Sequence, residues 1–181
     1  AAGCTATTTA VITQPTAVVI TGIAVTDAVC FGDCNGMVNA VASGGTGALT
    51  YNWVGIGTGA VQSNLCAGTY TLIVTDANNC SATQTATVNQ PPQLTVTTTG
   101  TSASCGASDG TATATPAGGT PPYVYSWSPV PGGGQGTPNA TGLAAGSYTV
   151  TITDNKGCVA TSTVVIGNNP PGTITVVTDN N

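Results

Sequence analysis

Three stretches of the chain share one pattern: GCTATTTAVITQP from Gly3, NCSATQTATVNQP from Asn79 and GCVATSTVVIGNNP from Gly157. Their cysteines, Cys4, Cys80 and Cys158, stand 76 and 78 residues apart. Upstream pieces repeat as well. SGGTGALTYNW at Ser43 matches AGGTPPYVYSW at Ala117, and LCAGTYTLIVTDANNC at Leu65 matches LAAGSYTVTITDNKGC at Leu143. A recurring unit of this size means a row of similar modules, each with its own small core, rather than one large core.

The register puts two complete units in the middle of the chain. We expect residues 1–14 to be the last strand of a preceding or neighbouring repeat and residues 15–91 the first complete repeat. Residues 92–169 are then the second, and 170–181 the first strand of a following or neighbouring repeat. The chain reads as a slice of a longer array, or as a subunit that exchanges strands with its neighbours. Gln90-Pro91-Pro92 and Asn169-Pro170-Pro171 are the linkers, where proline stiffens the backbone and supplies no ladder donor, which predicts an extended rod.

Thr and Val alternate along each unit while Glu is absent and Leu is sparse, a pattern that favours pleated strands over helices. Alternation and turn punctuation predict strands at 17–26, 37–43, 48–54, 59–63, 69–75 and 81–89. In the second unit they fall at 94–99, 111–117, 123–128, 147–153 and 159–166. Short strands with turns every 8 to 12 residues describe a two-sheet sandwich. Tyr51 and Trp53, and Tyr70, Leu72 and Val74, fall at i, i+2 positions and so share a sheet face. Tyr125, Trp127, Tyr148, Val150 and Ile152 do the same in the second unit. These faces are the predicted cores, with Thr and Ser ladders outside. The fold class is all-β: tandem antiparallel β-sandwich domains in an extended rod.

Charge narrows the function. Six Asp and one Lys are the only charged side chains, and there is no His. General acid–base catalysis draws on His, Glu, Asp, Lys or Cys with tuned pKa values, so the composition argues against an enzyme. A net charge of -5 gives no cationic surface for nucleic acid. No run approaches the roughly 18–20 apolar residues of a membrane-spanning helix, and AAGCTATTTAV has neither the basic region nor the apolar stretch of a signal peptide. No cofactor is expected.

CFGDCNG at Cys30, SGGTGALTYNW at Ser43 and NLCAGTYTLIVTDANNC at Asn64 resemble the SprB repeat of large surface adhesins of gliding Bacteroidota. The resemblance covers both full units and extends to the terminal fragments. It implies immunoglobulin-like or PKD-like modules of an extracellular filament or adhesin, exported by the type IX pathway, and it implies no ligand. The second unit departs from the pattern with ASCGASDG and LAAGSY, losing two cysteines.

Seven Cys in a chain this poor in other reactive groups point to an oxidising compartment and structural bridges. The second unit holds Cys105 and Cys158, so the repeat predicts that these pair, and that Cys30 pairs with Cys80 in the first. Cys34 and Cys66 vanish together in the second unit, where Ala144 replaces Cys66, as partners in another bridge would. Cys4 corresponds to the final cysteine of a unit and is expected to bridge to another repeat or a neighbouring subunit. A zinc centre at Cys30-x-x-x-Cys34 is the competing reading, but such centres need four Cys or His ligands in two close pairs.

Asp33, Asp76, Asp109 and Asp154 recur beside Asn residues, and calcium is one reading of them. Asp76 and Asp154, however, open TDAN and TDNK turns, where Asp bonds local backbone N–H groups. Lys156 sits in the same turn. Phe31, between two cysteines, is either a contact residue or a cap on the sandwich. The leading expectation is a structural module whose partners are neighbouring copies or repeats, joined by β-strand addition through the terminal segments. The alternatives are a carbohydrate-binding module, which would need exposed Trp or Tyr to stack on a surface polysaccharide, and an accessory region of a larger secreted enzyme.

Overall fold

A computed structural model describes residues 3–169 of the chain. They divide into two compact units. One takes in the residues up to Asp27 together with Cys34–Asn89. The other takes in Ala28–Asp33 together with the residues from Gln90 onward. The short loop Ala28–Asp33 belongs to the first repeat by sequence but to the second unit by structure.

In the first unit, β1 (Val19–Thr26), β2 (Gly36–Ser43) and β5 (Val61–Leu65) form a three-stranded antiparallel sheet with β2 in the middle. The facing sheet runs β4 (Gly57–Thr58), β3 (Thr50–Trp53), β6 (Gly68–Thr75), β7 (Ser81–Val88). The burial pattern of β2 alternates strictly through Val38 and Ala40, as a strand with one wet face requires. Val38, Ala40 and Leu65 from one sheet meet Trp53, Leu72, Val74, Ala86 and Val88 from the other in one cluster, which makes the unit a sandwich.

The second unit repeats this plan. β8 (Thr95–Thr101), β10 (Gly110–Ala117) and β12 (Asn139–Leu143) form one sheet, and β11 (Val124–Ser128), β13 (Gly146–Thr153) and β14 (Val159–Ile166) the other. A two-residue parallel pair joins β9 (Ala103–Ser104) to β15 (Asn168–Asn169), just beyond the end of β14. Ala112, Ala114, Ala140 and Leu143 pack against Trp127, Tyr148, Val150, Ile152, Val164 and Ile166. Trp53 and Trp127 are both fully buried, each removing a large aromatic surface from water. Tyr51, Tyr70 and Tyr125 lie half-buried at the edges of these cores. Thr69 and Thr87 pair hydroxyls across β6 and β7, as Thr149 and Thr163 do across β13 and β14, so the outer faces are held by hydroxyls rather than ions.

Several elements depart from the sequence expectation. β12 was not expected, because NATGL shows no apolar alternation; it forms since Ala140 and Leu143 are needed to close the core beside β10. The strand expected at 59–63 lies at Val61–Leu65, and β4, β9 and β15 are too short for alternation to reveal. Residues 3–14 are exposed and form no strand within this chain. The strand expected within 170–181 lies outside the described residues.

The repeat's most distinctive motifs form one clip. At Gly44 (φ 80°) and Gly118 (φ 72°), the first glycine of each SGG or AGG, any Cβ would collide with the carbonyl oxygen of Ala17 or Gln93, so only glycine fits. The following glycines, Gly45 and Gly119, lie against the carboxyl groups of Asp76 and Asp154. Each aspartate then ties the GGT loop to its own turn. Thr46 N–H donates to Asp76 Oδ2 at 2.8 Å, and Asn78 and Cys80 N–H donate to Oδ1 at 2.9 and 2.8 Å. In the second unit Thr120 donates at 2.7 Å, and Lys156 and Cys158 at 2.8 and 2.9 Å.

Candidate functional site

Among the described residues, the cysteines are the groups whose chemistry the structure displays directly. Two bridges are formed: Cys34 to Cys66, across the β2–β5 side of the first unit, and Cys30 to Cys158. Cys4, Cys80 and Cys105 are exposed free thiols. The expected pairs Cys30–Cys80 and Cys105–Cys158 are therefore corrected.

Geometry within each unit shows why. In the second unit the first loop is fastened beyond the far end of β14: Ala103 and Ser104 pair with Asn168 and Asn169, and Gly106 N–H donates to Asn168 Oδ1 at 3.4 Å. Cys158, in contrast, immediately precedes β14. Eight strand residues separate the two ends, roughly 26 Å at strand rise, whereas bridged cysteines need Cα atoms within about 7 Å. The first repeat has the same arrangement. Asn89 N–H donates to Asp27 Oδ1 at 2.8 Å, so the chain enters its first loop beyond the end of β7, while Cys80 precedes the start of that strand. A first-loop cysteine thus cannot reach the last-turn cysteine of its own repeat.

The Cys158 side of the bridge is rigidly presented. Asp154 N–H donates to Cys158 O at 2.9 Å and Cys158 N–H returns to the Asp154 carboxylate. Burial pushes the Asp154 carboxyl up, but N–H donors from Thr120, Cys158, Lys156 and Gly157 outweigh it and hold the group below its ordinary value. The Thr46 N–H is the largest influence on Asp76, lowering it further than burial raises it. Asp109 is lowered chiefly by the Ser104 hydroxyl, at 2.7 Å, and the Ser104 N–H. These oxygens are engaged by backbone N–H groups and, at Asp109, by the Ser104 hydroxyl, and among the described residues no three Cys, His, Asp or Glu gather as a metal site.

Beside the bridge, Phe31, Asp33, Gln93, Leu94 and Val159 line a groove of about 340 Å³. Phe31 is half-exposed there. Lys156 is exposed, on the turn that Asp154 organises. Sequence reasoning overlooked Gln135, whose side-chain amide accepts from Trp127 N–H at 2.9 Å and donates to Trp127 O at 3.3 Å. Nothing in its glycine-rich surroundings marked it.

Among described residues, no helix is long and apolar enough to cross a membrane. No curated protein matches the sequence. Similar solved structures include the C-terminal 282-residue fragment of intimin, crystallised with the intimin-binding domain of its translocated receptor. The likeness has 14% identity over 84% of this chain and 65% of that one, with a TM-score of 0.48. The eight N-terminal immunoglobulin domains of Down syndrome cell adhesion molecule give 15% identity over 86% of this chain and 25% of theirs, with a TM-score of 0.44. Sidekick-1 immunoglobulin domains 1–5 give 10% over 87% and 40%, with a TM-score of 0.35. The chain spans less than two thirds of each of these structures. Residues 22–58 and 97–132 each match the family model of the SprB repeat, one match in each of the two sequence repeats.

Proposed function

We propose that the chain is a non-catalytic structural segment of an extracellular filament or cell-surface adhesin, exported by the type IX route and built as a rod of repeats. Disulfides and the SprB-repeat matches together point to an extracellular or surface protein. The observation that carries the reading is the doubled, covalently braced sandwich: two cores with equivalent tryptophans and the same aspartate clip. The carbohydrate-binding alternative loses its platform, because Trp53 and Trp127 are 0% and 1% exposed and cannot stack on a sugar ring. The partners are neighbouring repeats or copies, and scarce charge on the strands leaves their edges open to such pairing.

The test is antibody labelling of intact producing cells followed by negative-stain microscopy. Labelled thin fibres on unlysed cells are expected. Labelling that appears only after lysis would overturn the proposal.

A further inference from the structure

We infer that Cys80 and Cys105 are the two open halves of a disulfide that joins one repeat to another, the first-loop cysteine of one repeat bonding to the last-turn cysteine of the repeat after it. The inference rests on the structural reading above and names the linkage that such an array would use.

Cys30 and Cys158 show the bond already made. Cys30 comes from the first loop of the first repeat and Cys158 from the last turn of the second, and the second unit contains both. Each free thiol repeats one half of that pair in its own surroundings. Cys105 lies in the corresponding loop, held by Gly106 N–H on Asn168 as the Cys30 loop is held by Gly32 N–H on Gln90. Cys80 lies in the corresponding turn, where its N–H donates to Asp76 and its carbonyl accepts from Asp76 N–H at 2.9 Å, the same two bonds that fix Cys158 to Asp154. Both are exposed, and neither can reach its counterpart in the same repeat across the length of a strand. The partner that fits is another repeat of this kind, for which a second copy of this chain serves as the probe. Joining Cys105 of one copy to Cys80 of the next forms one S–S bond. The two thiols give up two protons and two electrons, which reduce a disulfide oxidant such as oxidised glutathione to two thiols.

The experiment mixes ¹⁵N-labelled and unlabelled chain at high concentration in a glutathione redox buffer, quenches with acid and maps disulfides by mass spectrometry after peptic digestion. Peptides holding Cys30–Cys158 and Cys34–Cys66 in the same digest report that the fold is intact. The expected result is Cys80–Cys105 peptides that join the two isotopic populations. They should stand in about tenfold excess over Cys80–Cys80 and Cys105–Cys105, where unbiased collision gives about twofold. A ladder on a non-reducing gel should disappear in Cys80→Ser or Cys105→Ser and persist in Cys4→Ser. Chain that stays monomeric, or links in the unbiased ratio, would overturn the linkage. Because surface labelling of cells does not depend on this assay, a monomer here alongside labelled fibres there sinks the linkage and leaves the structural reading standing.

Discussion

The two units enclose the same tryptophan by different means. In the first, the chain turns back at once after Trp53, and β4 pairs backbone to backbone with Asn52 and Trp53; the Trp53 indole N–H is buried without a hydrogen-bond partner. In the second, residues 129–138 form a longer loop, the Gln135 amide takes the place of a strand beside Trp127, and Thr137 O accepts the Trp127 indole N–H at 3.0 Å. The first unit has the Cys34–Cys66 bridge, and the second has Ala144 where Cys66 would stand. The repeat keeps its core and its aspartate clip, while the edge beside the tryptophan is closed by a two-residue strand in one copy and by a side-chain amide in the other, and the first copy alone has the Cys34–Cys66 bridge, on the opposite sheet.

The largest effect that would sharpen this contrast comes from removing the bridge. Cys34→Ser with Cys66→Ser opens a 32-residue separation and should cost the first unit about 3–4 kcal/mol. Hydrogen exchange should rise in β2 and β5 and stay unchanged in β10 and β12; equal loss in both units would erase the distinction. Next, the shared clip should respond alike in both copies. Gly44→Ala and Gly118→Ala each force a Cβ onto a carbonyl at positive φ and should each cost about 3 kcal/mol in denaturant unfolding. A smaller, one-sided loss is expected for Gln135→Ala, about 1–2 kcal/mol confined to the second unit.

Subtler still is the paired replacement of the tryptophans. Trp127→Phe leaves Thr137 O without its donor, whereas Trp53→Phe removes a donor that had no acceptor. Calorimetry should therefore show the Trp127 variant worse by about 1 kcal/mol. Acid should touch both units together and least of all near neutrality. Asp76, Asp109 and Asp154 are held below the ordinary carboxylate value of 3.8 in the folded chain, so the unfolded chain binds more protons on acidification. Stability should be flat above that value and decline as pH falls through the lower folded-state values. A thermal midpoint that rose on acidification would contradict this.

Much of this architecture was legible in the residues. Alternating Val and Thr gave the long strands, i, i+2 spacing put the tryptophans inside, and the joint disappearance of the counterparts of Cys34 and Cys66 pointed to that pair. The connectivity of Cys30 was not legible, for a definite reason. A bridge that closes a repeat on itself and one that joins it to the next leave the same cysteines at the same period, so comparing the repeats cannot separate them. Only the length of β14, set between the first loop and the last turn, excludes self-closure. Gln135 and β12 were hidden because their roles depend on the sheet edge they complete, not on their own sequence pattern.

The 128-residue separation between Cys30 and Cys158 changes what happens when the molecule is pulled. A force applied at the chain's ends travels through that covalent shortcut, so the residues between the two sulfurs are excused from the load. On the order of 400 Å of contour length stays unavailable to stretching while the bond holds, and reducing it would release that slack.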